Sequence, residues 1–273
     1  MNLNVAIQGQ GYPILCLHGH PGSSKTMSVF TDVLSQSYQT IAPDLRGYGE
    51  SPARGKFQMR DHLDDLQRLL DRYQIEQCLV LGWSLGGILG LELTLQNPDR
   101  FSGLIMVASA AYPWSNHPKT SAIELINTGI SGIINYFKPG WQWNIDTLGK
   151  RSLFKYLVYQ QTSQAYQYLG KQAVPAFFKT SLAANKALSE ELSNGYNRLS
   201  DLEQIDIPCL VLAGECDRHI TAQSSAKTAK HLKNCQYICY RDTAHLFPWE
   251  IPQIVTKDIQ HWLNNVDSIR PKN

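Results

Sequence analysis

The sequence predicts an α/β fold, with a mainly parallel central sheet, helices on both faces and an inserted helical segment. Three observations carry this. Short apolar runs alternate with helix-periodic stretches from residue 3 to about residue 111, the pattern of strands joined by crossover helices. The alternation resumes near Ile207. Between them, over 112–205, strand-like runs disappear and helical spacing takes over. At 273 residues and 43% hydrophobic content the chain is long and apolar enough for one large core.

Taken in order, Leu3–Gln8 and Ile14–Leu17 are the first strands, and the second runs into His18-Gly19-His20-Pro21-Gly22. Gln39–Pro43 is the third, and a helix follows over about Met59–Tyr73. The run Cys78-Leu79-Val80-Leu81 is a buried strand, and Ile88, Leu89, Leu91, Leu93 and Leu95, set among small residues, form the helix behind it. Leu104–Ala108 closes this half. Pro208–Gly214 starts at a proline and ends at a glycine, which suits a buried strand. Cys235–Tyr240, apolar and aromatic without Gly or Pro, is the last strand. A final helix lies around Ile254–Leu263, and Ser268–Asn273 is expected to fray.

Between the strand at 78–81 and its helix lies Gly82-Trp83-Ser84-Leu85-Gly86-Gly87. A serine on a tight strand-to-helix turn, flanked by glycines, presents its hydroxyl above the sheet beside the free N–H groups of the helix start. Gly-x-Ser-x-Gly is weak evidence alone, since an ordinary glycine turn reads the same way. It gains weight if an acid and then a histidine follow, each just past a strand, and if backbone donors precede it. The loop after the 208–214 strand holds Glu215 and Asp217. Asp217 is favoured, because Glu215 follows the glycine immediately and lies closer to the strand end. His245 sits on the loop after the last strand. The early turn at 18–22 offers the His20 amide, and the helix start offers that of Leu85. A metal pair at His18 and His20 is the alternative, but no cysteine or further carboxylate cluster accompanies them at metal spacing.

With these features in order, the chain resembles the α/β-hydrolases over nearly its whole length. The segment Ala42-Pro43-Asp44-Leu45-Arg46-Gly47-Tyr48-Gly49-Glu50-Ser51 and the Ala244-His245 loop followed by Pro248-Trp249-Glu250 strengthen the likeness. The resemblance implies Ser84 as nucleophile, Asp217 as acid, His245 as base, and an oxyanion hole from the amides of His20 and Leu85. It implies an α/β-hydrolase core over 1–111 and 206–273, a helical cap over 112–205, and a rudimentary or missing first family strand. Such a set performs acyl transfer without metal or cofactor. The insertion is rich in aromatics: Trp114, Tyr136, Phe137, Trp141, Trp143, Tyr156, Tyr159, Tyr166, Tyr168, Phe177 and Phe178. Most are expected to pack the cap onto the core, the remainder to face an apolar, aromatic pocket. Asn144, Tyr156 and Tyr159 are candidate polar contacts within it.

Bulk properties narrow the partners to small molecules. A net charge of +2 gives no reason to expect nucleic acid, and no segment approaches the roughly 20 apolar residues that span a membrane. The start of the chain has no signal-peptide pattern, so a cytoplasmic location is expected. Five of the six cysteines (16, 78, 209, 235 and 239) fall in or beside strands, where free cysteine acts as a small buried hydrophobe; Cys216, beside the acid, reads as a bystander.

Subfamily signals diverge. The oxyanion turn and the 44–51 segment are similar to those of epoxide hydrolases and haloalkane dehalogenases, whose carboxylate nucleophile Ser84 cannot replace. His-Gly-His-Pro-Gly also resembles prolyl aminopeptidases, but their Gly-Gly-Ser-Trp-Gly elbow differs and they need cap acids, for which only Glu190 and Glu191 offer themselves. Gly-Trp-Ser-Leu-Gly-Gly resembles the elbow of carboxylesterases acting on pimeloyl carrier-protein methyl esters, with Trp83 lining the pocket. Carbon–carbon hydrolases typically place Asn where this chain has Trp83. The reading is a serine esterase of a small-to-medium, largely apolar carboxylic ester. An aminopeptidase or amidase, an acyltransferase or lyase, and a ligand receptor with a slow triad are the alternatives.

Overall fold

The computed structural model describes residues 1–266, so the fray expected over 268–273 lies outside the described residues. Seven strands form one sheet: β1 (Val5–Gln8), β2 (Pro13–Leu17), β3 (Gln39–Pro43), β4 (Cys78–Trp83), β5 (Phe101–Val107), β6 (Cys209–Gly214) and β7 (Cys235–Tyr240). The spatial order is β1-β3-β2-β4-β5-β6-β7. Only β1 runs antiparallel, against β3; every other pairing is parallel. Its reversal follows from the short connection between β1 and β2, which leaves no room for a crossover helix.

Helices α1 (Ser28–Leu34), α2 (Arg60–Arg72) and α3 (Leu85–Gln96) link the first half. Between β5 and β6 come α4 (Ala122–Phe137), α5 (Gln142–Thr147), α6 (Phe154–Leu157), α7 (Ser163–Tyr168), α8 (Val174–Phe178) and α9 (Leu182–Ser193). The chain then adds α10 (Ala222–His231), α11 (Phe247–Glu250) and α12 (Pro252–Asn265). Helix α10 had no apolar stripe to announce it.

Successive residues of a strand face opposite sides of the sheet, and each side carries its own core. On β4, Cys78 and Val80 join the leucines of α2 and α3, while Leu79 and Leu81 join Phe30 of α1 and Ile259 and Trp262 of α12. Helix α3 is buried nearly all round, so its sequence is uniformly apolar. Six residues from 112–205, between β5 and β6, complete the second core: Ile145, Phe154, Val158, Ala165, Tyr166 and Leu169.

Two expectations need correction. Cys16, Cys78 and Cys209 are buried, but Cys235 is only partly covered and Cys239 is exposed. The reason is that β7 is an edge strand with one open side. Nor do most of the inserted aromatics pack onto the core. Eight of the eleven are exposed, led by Phe137 at 78% and Phe178 at 71%.

Candidate active site

Ser84 sits between the end of β4 and the start of α3 with φ +53°, a left-handed conformation that few non-glycine residues adopt. The turn is held by the Ser84 amide donating to Val107 O at 2.8 Å and by Ser109 Oγ donating to Ser84 O at 2.9 Å. Its glycines are required by contact. A Cβ on Gly82 would lie 2.2 Å from Gly86 O, and one on Gly86 would lie 2.0 Å from Leu17 O.

Ser84 and His245 are joined by a hydrogen bond of 3.1 Å from Oγ to Nε2, and His245 Nδ1 lies 2.7 Å from Asp217 Oδ2. The carboxylate can only accept, so Nδ1 carries the ring proton and Nε2 is left to receive one from the serine. The second oxygen of Asp217 accepts the amides of His219 at 2.8 Å and Ile220 at 3.1 Å. That cage fixes the carboxylate, which is 3% exposed. Glu215, the competing acid, is exposed, and its carboxylate accepts the Asp242 amide instead. The structure thus brings three of the sequence candidates together and places Glu215 elsewhere.

The 18–22 turn lies directly against the serine: a Cβ on Gly19 would be 3.2 Å from Ser84 Cβ. His18 holds the turn in shape. Its Nε2 accepts the Leu45 amide at 3.0 Å and its Nδ1 donates to Gly19 O at 2.7 Å. Burial pushes this imidazole down to about 4, which keeps it neutral. His20 bonds Tyr48 Oη through Nδ1 at 2.9 Å and is likewise lowered by burial. Leu85, the first residue of α3, has an amide with no acceptor inside its own helix. His20 and Ser84 both border the cavity described next.

Two further residues at the site were not singled out as candidates in the sequence. Glu250, buried on α11, accepts the Ala244 amide on one oxygen at 2.8 Å and the Gln160 amide on the other at 2.5 Å. Burial raises its carboxyl against the lowering effect of those amides. It thereby ties the His245 loop to the inserted segment, as does the Leu246 amide donating to Leu157 O at 2.9 Å. His219 packs edge-on against His245 with ring centroids 5.1 Å apart, and its Nε2 lies 3.3 Å from that of His117. Burial, with His245 and His117 beside it, pushes His219 down to about 3.

Above Ser84 opens a cavity of about 520 Å³, within the usual range for small-molecule sites. Core residues Trp83 and Trp249 form one wall, with rings edge-to-face at 5.0 Å, and Leu125, Ile133, Phe154 and Leu169 of the insertion form another. No Asp, Glu, Lys or Arg lines it among the described residues. Thr128, a polar lining group, is spent on the protein: its Oγ donates to Glu124 O at 2.6 Å and accepts the Leu153 amide at 2.9 Å. The three candidate polar contacts lie elsewhere. Asn144 is buried against Ser131 O, Tyr156 bonds Glu124, and Tyr159 is exposed. Their orientation could not be told from sequence, because Asn144 and Tyr156 lie on short helices and Tyr159 on the bend after α6, with packing partners distant in sequence. Glu190 and Glu191 are also remote from the cavity lining.

Comparison with known proteins agrees with this architecture. Residues 12–130 match the family described as "alpha/beta hydrolase fold". The chain is 25% identical over 280 residues to a 2-hydroxymuconate semialdehyde hydrolase of Pseudomonas putida, covering 97% of this chain and 92% of the relative. It is 24% identical over 247 residues to a pimeloyl-[acyl-carrier protein] methyl ester esterase of Legionella pneumophila, covering 90% and 92%. Among solved structures, an esterase from Thermogutta terrifontis superposes with a TM-score of 0.70 at 22% identity, covering 97% of this chain and 93% of the other. The matched segment contains β2 to α3 and the Ser84 turn, and the full-length likenesses carry the remaining strands. The chain has the α/β-hydrolase fold.

Proposed function

We propose that this protein is a serine hydrolase that cleaves small-to-medium, largely apolar carboxylic esters. One observation carries the reading: the Ser84–His245–Asp217 hydrogen-bond line opens at the floor of an uncharged cavity of about 520 Å³. His245 Nε2 takes the Ser84 proton as Oγ attacks the ester carbonyl, then returns it to the departing alcohol. Asp217 holds the tautomer that makes this possible and stabilises the imidazolium. The His20 and Leu85 amides receive the oxyanion, a role in which losing one donor typically costs about 3–4 kcal/mol. Water, activated by the same histidine, releases the acid. The insertion acts as the cap of the pocket, and Trp83 supplies its apolar wall beside the nucleophile.

The cavity lining favours an ester over the alternatives. An aminopeptidase needs an acid to hold the substrate amine, and none lines the cavity among the described residues. A carboxylate-bearing substrate, such as the one named for the Pseudomonas relative, would be buried without a cation to pair it. The test is hydrolysis of p-nitrophenyl esters of graded acyl length by the wild type and Ser84→Ala. The reading predicts a Ser84-dependent optimum at one chain length, with the matching anilides cleaved far more slowly. Turnover retained in Ser84→Ala, or none at any length, would overturn it.

A further inference from the structure

Helix α4 carries apolar side chains on a face that nothing in the molecule covers. Ile123, Ile126, Ile130, Ile133 and Phe137 follow at spacings of three and four, so they form one stripe along the helix. Their exposures run from 46% at Ile130 to 78% at Phe137. The stripe reaches the mouth of the cavity, because Ile133 also lines it, as do Phe177 and Phe178 of α8, which are 64% and 71% exposed. The side of α4 that packs inward is marked instead by Ser131, Gly132 and Asn135. This helix is amphipathic with its polar side turned in and its apolar side turned out, the reverse of what a core-facing helix needs.

Charge indicates what covers it. From Lys119 to Lys179 the sequence holds seven Lys or Arg against two Asp or Glu. Lys150, Lys155 and Lys179 pair with Asp146, Glu124 and Glu50, which leaves Lys119, Lys138, Arg151 and Lys171 outside the ion pairs among the described residues. Exposed lysines flank the helix at Lys119 and Lys138. Lys138 lies 4.3 Å over the ring of Trp141, which is itself exposed and packs against Trp143, while Tyr136 is exposed against Phe137. Protruding aliphatics bordered by Trp, Tyr and Lys are what the boundary between hydrocarbon and anionic headgroups accommodates. A second copy of the same face would bring like charges together, which works against self-association.

We propose that the outer face of α4, with Phe177 and Phe178 at the cavity mouth, docks on an anionic phospholipid bilayer. The apolar stripe enters the headgroup boundary, and the lysines at its ends pair with anionic headgroups. The cavity mouth then opens toward the lipid, so an apolar substrate passes into it without crossing water. Among the described residues no helix is long and apolar enough to cross a membrane, so the contact is peripheral. The absence of a spanning segment bears only on crossing, not on this surface. The docking itself does not rest on the hydrolytic reading; the passage of substrate into the cavity does.

Co-sedimentation of the full-length protein with vesicles tests it, using phosphatidylcholine alone and an equal mixture of phosphatidylcholine and phosphatidylglycerol. The wild type is expected to bind the mixed vesicles, and added salt to weaken that binding. The triple variant Ile123→Glu, Ile126→Glu, Ile130→Glu should lose at least about tenfold in partitioning. It should keep its melting temperature and its hydrolysis of a soluble ester, since these side chains face solvent and lie outside the cavity lining. If the triple variant fails to fold, Phe137→Glu alone carries the same expectation in smaller measure. Ser84→Ala should bind vesicles as the wild type does, so loss of activity and loss of docking are told apart. The proposal falls if the wild type binds neither vesicle, or if the triple variant binds equally well. It falls too if the variant instead splits a dimer that ignores vesicles, or if polyglutamate binds this face and vesicles do not.

Discussion

At the scale of single residues, the two acids after β6 show how position decides chemistry. Asp217 has one oxygen on His245 and the other held by two backbone amides, whereas Glu215 is exposed and bonded to a loop amide. Asp217→Asn should therefore lower kcat by about 10⁴, as loss of the orienting acid does in a serine protease, because the amide would hold the wrong tautomer. Glu215→Gln should stay within a few-fold of wild type. Steady-state kinetics on one p-nitrophenyl ester distinguishes them, and the reverse ranking would assign the role to Glu215. The sequence could rank these acids because the glycine turn at Gly214 sets how far along the loop each lies. It could not place Asn144, Tyr156 or Tyr159. Asn144 and Tyr156 lie on short inserted helices and Tyr159 on the bend after α6, and their packing partners are distant in sequence, so no local pattern says which way each points.

At the scale of elements, the strands were legible for a simple reason. The inner strands β2 to β6 are short apolar runs, and burial on both faces of a parallel sheet demands that composition, whereas the edges β1 and β7 are only partly covered. Helix α10 escaped notice because it meets the core through small polar side chains. Ser225 Oγ donates to Ser109 O at 3.0 Å, and Thr228 Oγ accepts the Ala111 amide at 2.9 Å, so no apolar stripe forms. The junctions between elements carry two predictions. In Gly86→Ala the new methyl would meet the Leu17 carbonyl at 2.0 Å, a backbone atom that cannot swing away. The variant should lose about 3 kcal/mol or more of stability, measured by urea unfolding. Glu250 joins the His245 loop to the insertion through two amides, and Glu250→Gln replaces one acceptor with a donor aimed at a donor. The His245 loop should shift, lowering kcat by about a hundredfold at little change in KM, since geometry and not apolar binding is disturbed. Equal effects on kcat and KM would show a role in binding the substrate.

At the scale of the whole molecule, the sheet buries histidines that must stay neutral, and this sets its behaviour in acid. His62 on α2 is 1% exposed, and neither ring nitrogen has a protein partner. Burial, with smaller contributions from His18 and Arg46, pushes it down to about 4, against Asp65 and Asp61, which favour the charged ring. In the unfolded chain it would take up a proton near its ordinary value of about 6.5. The unfolded state therefore binds more protons than the folded state between about pH 6.5 and pH 4, so stability is full above that window and falls as pH drops through it. His18, also held down at about 4, acts in the same direction. For His62 alone the loss between pH 7 and pH 5 is about 2 kcal/mol. His62→Leu removes the group from both states and should flatten the acid limb by that amount. Paired urea titrations at the two pH values measure it: the variant's stability relative to wild type should rise by about 2 kcal/mol on going to pH 5. Parallel pH dependences would mean that His62 gains a proton in the folded protein as readily as in the unfolded chain, and that the acid sensitivity belongs to His18 and the buried carboxylates.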